Sequence, residues 1–193
     1  MTNLLKRGSI AVVGAAESDL GQVAPHTSPV DLMAQATMRA LDDCGLTLKD
    51  VDALYVAATQ VRIGPMSLAE YLRIKPKVFD GTQIGGSSFM THVAHAQMAI
   101  QLGLCEVAVI AYGSTQRSVS RAAASPREFN PYESPYRPIL PISAYAMAAA
   151  RHMHQYGTTR EHLAEVAVAA RKWALMNPKA WEKEPLSIEQ ALN

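Results

Sequence analysis

Gly85-Gly86-Ser87-Ser88, followed by His92 and His95, is the stretch of this 193-residue sequence whose residue types and spacing best suit chemistry. Small residues at the start of a helix leave backbone N–H groups without intrahelical acceptors. They also expose the positive end of the helix dipole, which stabilises an anionic oxygen or sulfur. Ser87 and Ser88 suit helix caps and, given an adjacent base, nucleophiles; the sequence places no such base. His92 and His95 are three apart and share a helix face, as a metal pair would, but no third ligand accompanies them at a recognisable spacing. A buried, hydrogen-bonded pair without metal is expected. His152 and His154, two apart on a helix, point in different directions and are expected at solvent or an interface. Between Ser114 and Pro141, Arg117, Arg121, Arg127 and Arg137 outnumber Glu128 and Glu133, a balance suited to phosphate groups or an acidic partner.

Bulk properties narrow the setting. Hydrophobic content of 49% and a net charge of +1 fit one ordinary globular α/β domain. The balanced charge argues against a general nucleic-acid or membrane-surface binder. Lys6 and Arg7 precede an apolar run too short for a secretory leader, so a cytoplasmic protein is expected. Cys44 and Cys105 have no CxxC spacing and read as reduced, buried thiols. Neither GxGxxG nor GxxxxGK[ST] occurs, so dinucleotide and ATP chemistry have no support. From Gly81 to Cys105 there is no Asp, Glu, Lys or Arg, yet Ser87, Ser88, Thr91, His92, His95, Gln97 and Gln101 are scattered through it. A lipid-facing segment would be uniformly apolar; a helix buried on all sides inside a globular protein accounts for the pattern better.

The elements that must position these residues follow from punctuation and periodicity. Ile10 to Val13, stopped by Gly14, reads as a first buried strand. Ser28-Pro29-Val30-Asp31 opens a helix that Gly45 stops, over 29–44. Ala53 to Ala58 is strand-like, Pro65 to Arg73 a short helix, and Val78-Phe79 another extended piece. A helix over 86–102 ends at Gly103, and Val107 to Tyr112 is an apolar strand. Prolines 126, 131, 135, 138 and 141 forbid regular structure across a long surface excursion. Helices follow at 142–156 and 159–176, the second opened by a capping box from Thr158 to Glu161 and stopped by Asn177-Pro178. Its face of Leu163, Val166, Ala167, Ala170, Trp173 and Ala174 requires a cover. Ser187-Ile188-Glu189-Gln190 looks like a further capping box opening a helix, and the sequence stops three residues after it, which reads as a chain cut short.

The run Gly81-Thr-Gln-Ile-Gly-Gly-Ser-Ser-Phe-Met-Thr-His-Val-Ala-His-Ala-Gln-Met-Ala-Ile100-Gln-Leu-Gly103, continued by Cys105-Glu-Val-Ala-Val-Ile-Ala-Tyr-Gly-Ser114, resembles the nucleophile region of the thiolase superfamily. In that family a turn after a strand delivers cysteine at the start of a buried helix. The opening strand Ile10 to Val13, the Asp-Ala-Leu-Tyr-Val strand, the segment from His152 to Ala167 and Asn177-Pro-Lys-Ala are most similar to the sterol-carrier-protein thiolase branch, also called nonspecific lipid-transfer proteins. The likeness spans nearly the whole chain and corresponds to the family's N-terminal half.

That resemblance implies a layered α-β-α thiolase-like fold with one mixed sheet and a buried central helix. It implies an N-terminal domain over 1–113, and a loop excursion with its helices over 114–193. Counting back from Ile100 puts the family's cysteine position at Gly86, and glycine cannot carry an acyl group. Three functions remain open. The first is retro-aldol cleavage of a β-hydroxyacyl-CoA, which needs a base and enolate stabilisation but no sulfur. The second is non-catalytic acyl-CoA binding or lipid transfer. The third is an acyltransferase of the acetyl-CoA acetyltransferase kind, using Ser87 or Ser88. Gly85, Gly86, Ser87, His92, Arg117 and Arg121 are the expected substrate-binding residues. Coenzyme A enters only as part of the substrate, with no other cofactor. The family's remaining catalytic residues belong to a C-terminal half with no counterpart here. A lone half would expose Phe89, Met90, Met98 and Ile100, so a homodimer or a second thiolase-like half is expected, and a small oligonucleotide-fold partner with a zinc ribbon is a further analogy.

Overall fold

The computed structural model describes residues 6–119, 131–139 and 141–193. It divides into two compact units, Met1–Arg127 and Glu128–Asn193.

In the first unit, α1 (Pro29–Cys44) starts where local chemistry dictates. Ser28 Oγ accepts the Asp31 N–H, and the Asp31 carboxylate accepts the Ser28 N–H in return. Gly45 ends the helix in the left-handed conformation, φ 71°, where a Cβ would be strained. The Tyr71 hydroxyl also donates to Asp31, at 2.6 Å. That bond, with those from Ser28, holds the carboxyl below its usual range. After α1 come β1 (Ala53–Val56), α2 (Gly64–Leu72), β2 (Val78–Asp80), a 3-10 turn (Gly85–Ser87), α3 (Ser88–Gln101) and β3 (Ala108–Ala111).

The three strands form a parallel sheet in the order β2-β1-β3, with Ala53 opposite Val78 on one side and Ala108 on the other. The described sheet is therefore wholly parallel rather than mixed. Since parallel neighbours need crossovers, α2 links β1 to β2, and α3 carries the chain from β2 past β1 to β3. β1 is buried on both sides and alternates between two cores. Leu54 and Val56 meet Met33, Leu68, Ala69 and Leu72 from α1 and α2; Ala53 and Tyr55 meet Ala96 and Ala99 of α3 and Cys105. All three strands point their C-terminal ends to one edge, where the loops that could hold a ligand gather.

Two expectations change here. Ile10 to Val13 is not a strand: the segment has no ladder partner among the described residues, and Val12 and Val13 are 79% and 63% exposed. Gly14 is nevertheless pressed onto α1, where an added Cβ would lie 2.2 Å from the Ala40 carbonyl oxygen. The charge-free helix α3 is not buried on all sides either. Ser88, His92, Ala96 and Ala99 face the sheet, whereas Met90 is 73% and Met98 40% exposed.

The second unit holds a 3-10 turn (Ser134–Tyr136), α4 (Ile142–Tyr156), α5 (Arg160–Met176) and α6 (Ile188–Leu192). The box opening α5 sits one residue later than expected, on Thr159 and His162, because the His162 ring Nδ1 accepts the Thr159 N–H. α6 opens with the expected box of Ser187 and Gln190. α5 packs on α6 and buries Ala164 and Val168, a different face from the one the periodicity selects; Leu163, Val166 and Trp173 remain exposed. His152 is exposed, hydrogen-bonded to Thr158 and stacked near Tyr156, and His154 is exposed as well. No helix of the described residues is long and apolar enough to cross a membrane.

Candidate functional site

The turn between β2 and α3 gathers most of the candidate residues at the C-terminal edge of the sheet. β2 ends at Asp80, and the chain crosses Gly81 to Ile84 before Gly85 adopts φ +68°, which favours glycine. Gly86 follows in the first turn, and here the requirement is different. Its φ is not positive, and an added Cβ would find nothing within 4 Å. The thiol is missing at this position because of the residue type, not for want of space. Ser87 is exposed and its hydroxyl makes no cap bond, although its carbonyl accepts the Thr91 hydroxyl at 3.2 Å. Ser88 is fully buried, and its Oγ accepts the Ile84 N–H at 3.3 Å. Neither serine caps α3, contrary to expectation: Ser87 already has helical backbone angles, so the extended conformation of an N-cap is lost.

One turn beyond Ser88, His92 is fully buried against the sheet. Its Nε2 is 3.1 Å from the Thr82 hydroxyl, while its Nδ1 has no hydrogen-bond partner among the described residues. The ring lies 5.7 Å from that of Tyr55 and 6.4 Å from that of Phe89. Burial holds the imidazole below its usual pKa, only partly opposed by Asp80, so it is neutral at pH 7. Burial likewise pushes the Tyr55 hydroxyl up to about 12, with Cys105 and Asp80 adding to it, and raises the Cys105 thiol. Both groups keep their protons at neutral pH, so neither is an anionic nucleophile there. His92 and His95 do not bond to each other. His95 Nδ1 is bonded to the Asp80 carboxylate, and both side chains are about a third exposed. Two bonds from α3, one from Ser88 and one from His92, thus clamp the loop that presents Gly85 and Gly86.

A second clamp ties the neighbouring loops. Gln60 Oε1 accepts the Ser114 hydroxyl at 2.8 Å and the Thr115 N–H at 2.9 Å, and Gln60 Nε2 donates to Thr115 Oγ1 at 3.2 Å. This joins the exits of β1 and β3. Arg117, exposed, follows on the chain leaving β3; Arg121 and Arg127 lie outside the described residues. Asp80, Thr82, Tyr55 and Gln60 escape a reading by sequence, because their partners are 10 to 55 residues away and no local spacing marks them. The described residues contain no group of three or more His, Cys, Asp or Glu that could hold a metal ion. Chemically, the turn presents a helix start, whose Ser88 N–H is already bonded to the Gly85 carbonyl, near a neutral imidazole and with no thiol.

No family model matches the chain. The 17-hydroxy-3-oxo-4-pregnene-20-carboxyl-CoA lyase of Mycobacterium tuberculosis is 31% identical over 96% of this chain and 51% of its own length. An acetyl-CoA acetyltransferase of Methanothermobacter thermautotrophicus is 30% identical over 95% of this chain and 50% of its own. Among solved structures, the Ltp2-ChsH2(DUF35) aldolase superposes with a TM-score of 0.67 at 30% identity, covering 95% of this chain and 50% of that one. The monomeric SCP2-thiolase-like protein type 1 of Mycobacterium smegmatis gives 0.68 at 21% identity, which shows the fold alone. The chain spans about half the length of the curated relatives it matches.

Proposed function

We propose, from the premise that this chain belongs to the thiolase superfamily, that it supplies the β2–α3 turn of a site breaking a carbon–carbon bond in a β-hydroxyacyl-CoA without a cysteine nucleophile. The observation that carries the reading is Gly86: it stands in the first turn of α3 with open space around it, in a chain about 31% identical to a CoA-thioester lyase. In a retro-aldol step a base removes the β-hydroxyl proton, that oxygen's electron pair forms a carbonyl, and the Cα–Cβ bond breaks to leave an enolate on the thioester. Protonation at Cα then releases a shorter acyl-CoA beside a ketone or aldehyde. What such a site must supply is donors for the thioester oxygen, and the backbone N–H groups of the turn ahead of Ser88 suit that task, the Ser88 N–H itself being bonded to the Gly85 carbonyl. Arg117 and Arg121 suit the phosphates of coenzyme A, and the substrate's coenzyme A is the one cofactor the reaction needs.

An acyltransferase is the second reading, favoured by the 30% identity to an acetyl-CoA acetyltransferase and by the exposed Ser87 hydroxyl at the same turn. A third, an acyl-CoA-binding or lipid-transfer chain, would use the same turn without chemistry. For either enzyme we place the protein in the cytoplasm, in a homodimer or against a second thiolase-like half; the exposed Met90 and Met98 of α3 support such a cover. The aldolase named for both Ltp2 and ChsH2 supports a further partner chain; we propose a small one of the oligonucleotide-fold, zinc-ribbon kind.

The test is an assay of the protein, with whatever chains accompany it, on β-hydroxyacyl-CoA substrates. Release of a ketone or aldehyde together with an equimolar shorter acyl-CoA is the expected result. Saturable acyl-CoA binding without turnover by the complete assembly sinks the lyase, and an acyl adduct on Ser87 found by mass spectrometry replaces it with the transferase.

A further inference from the structure

Gln60 stands half-buried on the loop that leaves β1, and all three of its bonds described above go to the loop that leaves β3. The Thr115 N–H can act only as a donor, so the amide atom it meets must be Oε1, which leaves Nε2 to face Thr115 Oγ1. The amide is therefore oriented and used at both ends, across 54 and 55 positions of sequence.

The loop that Gln60 grips is itself anchored. Gly113 is buried on the start of α1, where an added Cβ would lie 2.2 Å from the Pro29 carbonyl oxygen and 2.8 Å from Met33. Thr115 is 5% exposed, and Ser118 Oγ accepts the Val23 N–H at 2.8 Å. The β1 loop, 57–63, has neither helix nor strand; Ala58 and Val61 pack on the core beneath it, and Gln60 ties it sideways. Two paths then lead to the first turn of α3. By one, the Ala58 carbonyl accepts Gln83 Nε2 at 3.4 Å, three residues ahead of Gly86. By the other, the Tyr112 ring lies 5.4 Å from that of Phe89, three residues past Gly86, and Phe89 meets His92 edge-on. The turn is thus gripped on both sides by loops that Gln60 joins. Where a reaction depends on placed donors, an error of about 1 Å can cost on the order of 10²-fold in rate.

We propose that Gln60 is a positioning residue: without touching Gly86, it fixes the β1 exit to the β3 exit and thereby holds the first turn of α3 in place. Its effect on turnover rests on the carbon–carbon cleavage reading, and the experiment separates the two. Gln60→Met keeps the length and loses all three bonds, whereas in Gln60→Glu a carboxylate can accept Ser114, the Thr115 N–H and the Thr115 hydroxyl turned round. Each variant, with whatever chains accompany the protein, is measured by amide exchange and by kinetics on β-hydroxyacyl-CoA. Gln60→Met is also combined with Gly86→Cys, whose thiol reports its nearness to the helix start through its apparent pKa.

Gln60→Met should speed exchange about tenfold over 81–88 and 112–118 while 29–44 stays unchanged. It should raise the apparent pKa of the thiol in Gly86→Cys by about half a unit. It should also lower kcat about tenfold with KM within about threefold, and Gln60→Glu should restore protection and most of kcat. Faster exchange at every slow amide, 29–44 included, means that Gln60 serves stability alone and overturns the proposal. Acceleration confined to 112–118, with the thiol and kcat unmoved, overturns it as well and leaves the cleavage reading standing. Faster exchange over 81–88 and a moved thiol, in an assembly whose unmutated form turns over no β-hydroxyacyl-CoA, uphold the positioning role and remove the cleavage reading.

Discussion

The two faces of the β-sheet do different work. On one, α1 and α2 close over Leu54 and Val56 with Met33, Leu68 and Leu72, and the polar side chain that α1 buries is Thr37. On the other, α3 brings His92 and His95 to Tyr55 and Asp80, and its outward side is open at Met90 and Met98. The first face buries the larger apolar side chains, and burial of apolar area is the dominant favourable term in folding. The second accepts polar groups in a partly open layer, and the loop that ends at Gly86 depends on them. The contrast predicts that changes at the turn cost less stability than changes on the apolar face.

Four measurements would break or sharpen that contrast. Leu68→Ala removes a fully buried side chain from the apolar face and should cost about 2–5 kcal/mol in urea denaturation. A loss comparable to that of a surface substitution would break the division of labour. His92→Leu deletes the Thr82 bond and leaves that hydroxyl short of a partner, at about 1–3 kcal/mol. Amide exchange should accelerate over 81–88 and little elsewhere, and His92→Gln, whose amide can still reach Thr82, should restore much of the protection.

The pH dependence comes next in size. Burial keeps the folded-state pKa of His92 below its ordinary value of about 6.5. Below that pH the unfolded chain binds the proton and the native one resists it, so stability is level above about 6.5 and falls as the solution is acidified. The slope from this one group is at most about 1.4 kcal/mol per pH unit and should vanish in His92→Gln. Smallest of all is Gly86→Cys, expected to change stability by less than about 0.5 kcal/mol, since the position is open and its φ is not positive. Its thiol should alkylate with an apparent pKa below about 8.5, ahead of buried Cys105. Gly85→Cys, at φ +68°, should cost about 1 kcal/mol more. Equal costs at the two glycines would mean that the turn is not held as described.

The helices were legible because their signals are local. Ser28, Pro29, Asp31 and Gly45 bracket α1 over Pro29–Cys44, the span the sequence predicts, since caps and i→i−4 bonds all lie within a few residues. The α5 box slipped by one residue because Thr158 and Thr159 both suit a cap, and the His162 ring decided between them. Gly86 was readable as a residue type in a motif; that a side chain would find room there was not, because room is a property of the surroundings. The partners of the two histidines were equally hidden: Thr82 and Asp80 reach them only once α3 lies on the sheet.

The sequence by itself determined where the helices lie to within about two residues, the α/β alternation, and the absence of a thiol at the turn. Tertiary structure decided the strand order, the open side of α3, the clamps on the β2–α3 loop, and the fate of Ile10 to Val13, which has the composition of a strand but no neighbour to bond among the described residues. A helix satisfies its backbone within its own segment, whereas a strand is completed only by another strand, and which one lies beside it is settled by packing far along the chain.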